Sequence, residues 1–119
     1  MESKSVLAEF AKRYVVHDFR ERFIHEATKR PDKLHARICH NIGDVLPDSF
    51  AGGRSNFAAE EICLVLDGEM GFHTKTWGAL QAKVGLGEGL LAVCCNGSQF
   101  YAETEAAKGV PSVVYGSSS

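Results

Sequence analysis

No apolar run in this sequence approaches the roughly 18–20 residues needed to span a bilayer, so no membrane-spanning helix is expected. The opening residues, Met1-Glu2-Ser3-Lys4-Ser5, carry no apolar h-region and do not read as a secretory signal. The sequence has no G-x-x-x-x-G-K-[ST], no H-E-x-x-H and no G-x-S-x-G. A P-loop, a zincin helix and a hydrolase nucleophile elbow are therefore not expected. None of the four cysteines forms a C-x-x-C pair, and Cys63, Cys94 and Cys95 sit inside apolar runs. They read as reduced core thiols of a cytoplasmic protein, with adjacent Cys94 and Cys95 on opposite sheet faces and poorly placed to bridge each other.

What is present fits one ordinary globular domain. The 119 residues are 45% hydrophobic and 24% charged, with a net charge of −2, enough for a core without staples. The charge is unevenly spread. Residues 1–42 hold nine Lys/Arg against six Asp/Glu, and residues 43–119 hold four against nine, giving +3 and −5. The basic residues Arg20, Arg22, Lys29, Arg30, Lys33 and Arg37 lack interleaved exposed aromatics. They read as a solvated face more readily than as a phosphate site, and nucleic acid is not an expected partner.

Ser5 to Lys29 is predicted helical. Leu7, Phe10 and Tyr14 make one apolar stripe and Val16, Phe19, Phe23 and Ala27 another. The stripes do not join around Val15-Val16, which predicts one bent helix or two short ones. Pro31 ends the element. Residues 34–115 are predicted to form an antiparallel β-body, and residues 116–119 a tail. Leu34, Ala36, Ile38, His40 and Ile42 alternate with polar residues and read as its first strand. Residues 43–56 read as a long loop, with a short edge strand at 44–46. Ile62–Leu66 and Leu90–Cys95 are apolar on both faces, so each face needs a cover. Asp67-Gly68 and Asn96-Gly97 mark hairpins. Leu80–Val84 reads as a return strand, and Ser112–Tyr115 as the last.

Within this pattern, Glu60-Glu61-Ile62 and Val65-Leu66-Asp67-Gly68-Glu69 are close to the usual text of a known first motif, with six residues between Glu61 and Gly68. Gly89 and Gly97 fit the second motif of the same family, with 20 residues between Gly68 and Gly89. Residues 43–104 thus resemble a small cupin. The resemblance implies a double-stranded antiparallel barrel or sandwich behind the N-terminal helical segment. The alternative is an open antiparallel sheet with the helix on one face.

The family's metal is held by two histidines on one strand, a carboxylate and a third histidine. Counting back from Glu61 places Arg54 and Asn56 at the histidine pair, and counting from Gly43 places Ser49 and Ala51 there. Cys95 stands for the second motif's proline, Phe100 for the third histidine and Thr104 for the asparagine. Only Glu61 remains, so neither metal nor cofactor is expected. The reading is a metal-free small-molecule-binding or regulatory protein without a catalytic motif. Its candidate ligand residues are Glu61, Phe100, Arg54, His40 and His73, and its ligand a small apolar or acidic molecule. Two alternatives stand beside it. One is a cupin-type isomerase or oxygenase with displaced ligands His40, His73 and Glu61. The other is an interaction module acting through Phe10, Tyr14, Phe19 and Phe23, with a homodimer expected.

Overall fold

The computed structural model describes residues 3–46, 50–51, 57–69, 71–105 and 113–117. Helix α1 (Ser3–Tyr14) buries Val6, Leu7, Phe10 and Ala11. At Val16 the backbone becomes extended (φ −47°, ψ 132°), and its N–H donates to the Val45 carbonyl at 3.0 Å. A 3-10 turn (His17–Phe19) then leads into α2 (Arg20–Lys29). The two unaligned stripes are therefore two short helices.

Pro31 stops α2, but it also opens α3 (Pro31–His40) from its first helical position. The fixed φ and missing N–H of proline suit that position. The strand expected from Leu34 to Ile42 is this helix. Leu34 and Ile38, both 0% exposed, are one turn apart, as are His35 and Cys39. The apparent alternation was a period of four. Asp32 in the first turn and Arg37 and His40 in the last match the helix dipole. The edge strand expected at 44–46 is instead a 3-10 turn (Ile42–Asp44) followed by buried Val45 and Leu46.

The strands are β1 (Phe50–Ala51), β2 (Ile62–Leu66), β3 (His73–Thr76), β4 (Glu88–Cys94), β5 (Gln99–Glu105) and β6 (Val113–Ser117). They form one antiparallel sheet in the order β1-β6-β5-β4-β2-β3. The sheet is open, so the barrel that the cupin resemblance implied is not formed; the architecture is α+β. Both hairpins occur, β2–β3 after Asp67-Gly68 and β4–β5 around Asn96-Gly97. The tail expected from 116 is partly strand, since β6 runs to Ser117.

The sheet divides its side chains cleanly. Leu64, Leu66, Leu91, Val93, Phe100 and Ala102 face the helices. Phe10 meets Phe23 at 5.6 Å and Phe100 at 5.3 Å between ring centroids. All three rings are fully buried, each contributing about 2–3 kcal/mol by area. Cys63, Val65, Leu90, Ala92, Cys94 and Tyr101 face the other way, under Trp77 and Leu80. This second cover is helix α4 (Trp77–Leu80), capped by Thr76, whose hydroxyl accepts the Ala79 N–H at 3.2 Å. It replaces the strand expected at 80–84. A cap residue followed by Trp and Leu three apart gives one helical turn with both apolar groups on the sheet.

Cys63 and Cys94 are not reduced thiols. They stand opposite each other on β2 and β4, with Cα atoms 4.6 Å apart, and form a disulfide. Directly facing residues of a non-hydrogen-bonded antiparallel pair come this close. The two cysteines lie 31 residues apart, so no local spacing marks them as a pair.

Helix α3 packs closely against two glycines, Gly68 in the turn after β2 and Gly89 on β4. His35 Nε2 lies 3.0 Å from the Gly89 carbonyl, and a Cβ at Gly89 would overlap Cys39 Sγ. Gly89→Ala should lower unfolding free energy by about 3 kcal/mol, since it adds a clash to a strained positive φ. Gly85→Ala, with similar φ but open space, should cost only about 1 kcal/mol. Adding Cys39→Ala to Gly89→Ala should recover part of the loss, measured in urea. Replacing Cys63 and Cys94 together by Ala should cost about 3–4 kcal/mol, from a loop of 31 residues. Dithiothreitol should lower the wild-type unfolding midpoint and leave the double variant's unchanged.

Candidate functional site

The residues singled out by sequence are dispersed. Phe100 lies fully buried on the helix side, packed against Phe10 and Tyr14. Val65, on β2, points to the opposite side of the sheet. Glu61 is half-buried just before β2, and its backbone carbonyl accepts the Trp77 N–H at 2.8 Å. His40 ends α3 exposed, with Nε2 3.3 Å from Glu105. His73 on β3 has Nδ1 3.2 Å from the Gly71 carbonyl and Nε2 3.4 Å from Asp67. Arg54 lies outside the described residues. His40, His73 and Glu61 thus sit on separate elements. Among the described residues no cluster of three His, Cys, Asp or Glu could hold a metal ion.

Among the described residues three carboxylates are buried instead, and each has its own partners. Glu103 accepts N–H groups from Gly85 (2.8 Å) and Gly87 (3.0 Å), and the Tyr101 hydroxyl (2.9 Å). Burial, reinforced by Glu103, pushes the Tyr101 hydroxyl well above the usual phenol range. Arg37 clamps Glu26 with two bonds, Nε to Oε1 at 2.9 Å and Nη2 to Oε2 at 3.0 Å. Its guanidinium also lies over the Phe19 ring.

Asp67 accepts from Lys83 Nζ (3.0 Å) and from the Glu69 N–H (3.2 Å). Burial alone would raise its pKa. The Lys83 bond, the Glu69 N–H and the charges of His73 and Lys83 outweigh burial and hold it below the usual carboxylate range. These groups fasten loops and helices to one another and to the sheet. Cys39 is likewise a packing thiol, its pKa pushed up by burial and by Glu105.

The surface offers a different place. Between α1 and α2 runs a groove of about 460 Å³ lined by Ala8, Ala11, Lys12, Arg20, Glu21 and Ile24. The break at Val15-Val16 turns the two helices against each other. Ala8 and Ala11, one turn apart, leave the space open beside Ile24. Arg20 is anchored at the break, where Nε donates to the Val15 carbonyl at 3.1 Å. Glu9 pairs with Arg13 at 2.7 Å, and Lys12 has no ion pair among the described residues. Among the described residues the groove is thus lined by aliphatic side chains together with the cations Lys12 and Arg20 and one carboxylate, Glu21. Sequence reading missed it. Its signal, small residues flanking the Leu7-Phe10-Tyr14 stripe, is too common to mark a site alone.

No helix among the described residues is long and apolar enough to cross a membrane. The Cys63–Cys94 disulfide withdraws the support that reduced thiols lent to a cytoplasmic location, because disulfides persist mainly in oxidising compartments. Comparison with protein families, curated proteins and solved structures finds no match to this chain.

The lowered pKa of Asp67 fixes the sign of an acid dependence. Its contribution to stability is complete above the ordinary carboxylate pKa of about 4 and is lost as pH falls through the lower folded value. Wild-type stability should therefore drop below about pH 4, and Asp67→Asn should flatten that part of the profile. At neutral pH the same variant should cost about 1–2 kcal/mol, because Lys83 loses its buried partner but keeps Glu69 at 2.8 Å. Urea melts across the acid range measure both.

Proposed function

We propose that this protein is a non-catalytic, metal-free binding or regulatory module whose ligand is a small aliphatic acid seated in the α1–α2 groove. The carrying observation is the combination in one lining of apolar residues (Ala8, Ala11, Ile24) with two cations, Lys12 and Arg20, against a single carboxylate, Glu21. Small-molecule sites are mostly apolar concavities with a few convergent polar groups that fix orientation. The aliphatic part would cover the floor, and the carboxylate would pair with Lys12 and the free end of Arg20. This keeps the ligand class expected from sequence and moves it from a barrel lumen to the helical layer.

The competing readings have less support. A displaced-ligand metalloenzyme needs His40, His73 and Glu61 to converge, and they occupy separate elements. A homodimer built on the N-terminal aromatics needs those rings exposed. Phe10 and Phe23 are fully buried in the chain's own core, and Tyr14 and Phe19 pack against it. The cupin resemblance of residues 43–104 is compatible with a metal-free role, since Glu61 alone of its ligand positions keeps the family's metal-binding group.

Titration with sodium octanoate, followed by amide chemical shifts, tests the proposal. Saturable shifts confined to α1 and α2 are expected. Lys12→Glu and the groove-filling Ala8→Trp should each weaken binding about tenfold or more, the equivalent of 1.4 kcal/mol. Absence of saturation, or shifts spread over the sheet, would remove it.

A further inference from the structure

The other flank of α2 carries a second, chemically different concavity. Arg22, His25, Glu26, Arg30 and Lys33 line a cleft of about 330 Å³ between α2 and α3. Arg22, His25, Arg30 and Lys33 are exposed. Glu26, the lone carboxylate of the lining, is 2% exposed and has both oxygens taken by Arg37. It therefore does little to neutralise the rim. Arg22 and Lys33 have no ion-pair partner among the described residues, and Arg30 reaches only Asp32, at 3.9 Å between two exposed side chains. Three fixed cations thus face one cleft with almost no counter-charge.

We propose that this cleft is a binding site for a compact phosphoryl anion. The three cations come from three backbone origins: Arg22 from the start of α2, Arg30 from the junction and Lys33 from the first turn of α3. A planar carboxylate satisfies one guanidinium fork. A tetrahedral oxyanion presents oxygens in several directions and can take two arginines and an ammonium together. Lys33 also stands at the positive end of α3, which adds to the attraction. Clustering like charges opposes folding, and an anion in the cleft relieves that repulsion. Binding should therefore appear as stabilisation. Nothing in this site depends on the α1–α2 groove, whose residues lie on the opposite flank of α2.

The test uses inorganic phosphate and tripolyphosphate, with ionic strength held constant by sodium chloride. Amide shifts and thermal midpoints are followed at millimolar anion, below the range where phosphate stabilises proteins by exclusion. Saturable shifts at residues 22–33 and a raised midpoint are expected. Tripolyphosphate should bind more tightly than phosphate, and acetate should produce neither effect. Arg22→Ala combined with Lys33→Ala removes two exposed side chains, and its fold is checked by circular dichroism. It should weaken binding at least about tenfold, while Lys4→Ala with Lys75→Ala leaves it unchanged. Equal responses to acetate and phosphate, no saturation, or unchanged affinity in the Arg22/Lys33 variant would each overturn the proposal.

Discussion

Strands β2 and β4 are apolar on both faces, and an antiparallel sheet cannot leave either face wet without losing the burial that holds it together. Most of the remaining structure meets this demand. The three N-terminal helices bring Phe10, Phe23, Leu34 and Ile38 onto one face. A short return of the chain, from Trp77 to Val84, covers the other. The disulfide between Cys63 and Cys94 ties the two strands to each other beneath that smaller cover. Closing into a barrel is another way to hide two faces, but here a helical layer and a one-turn helix suffice. The sheet stays open, and its interior holds side chains where a barrel would hold a ligand.

The polar interior follows the same logic. A buried carboxylate is costly unless every lone pair finds a donor. Glu103, Asp67 and Glu26 solve this by tying together elements distant in sequence: the glycine segment before β4, the segment after the β2–β3 turn, and the pair α2–α3. His35 works in the same way from α3, reaching the backbone of Gly89. Titratable groups so completely engaged are fasteners. A search for chemistry is thereby directed away from the sheet and toward the outer surface of the helices, where cations remain without counter-charges.

Both flanks of α2 then acquire a meaning that its amphipathic pattern alone does not provide. Phe23 and Ala27 anchor it to the core. Arg20 and Ile24 look toward α1, and Arg22 and His25 toward α3. One flank is apolar with a charged rim and the other almost wholly charged.

Local signals determined a good part of this protein. The interruption at Val15-Val16, the turns at Asp67-Gly68 and Asn96-Gly97 and the need of β2 and β4 for two covers could all be read from the chain, because each depends on residues within one turn or one strand. The reading failed where two periods fit the same letters. Leu34 to His40 alternates well enough for a strand, and only docking against Gly68 and Gly89 makes it a helix. The Cys63–Cys94 bond, the cages around Glu103 and Asp67, and the two clefts beside α2 join residues far apart along the chain. Their existence is a matter of which surfaces meet, and only the packing of helices on an open sheet decides that.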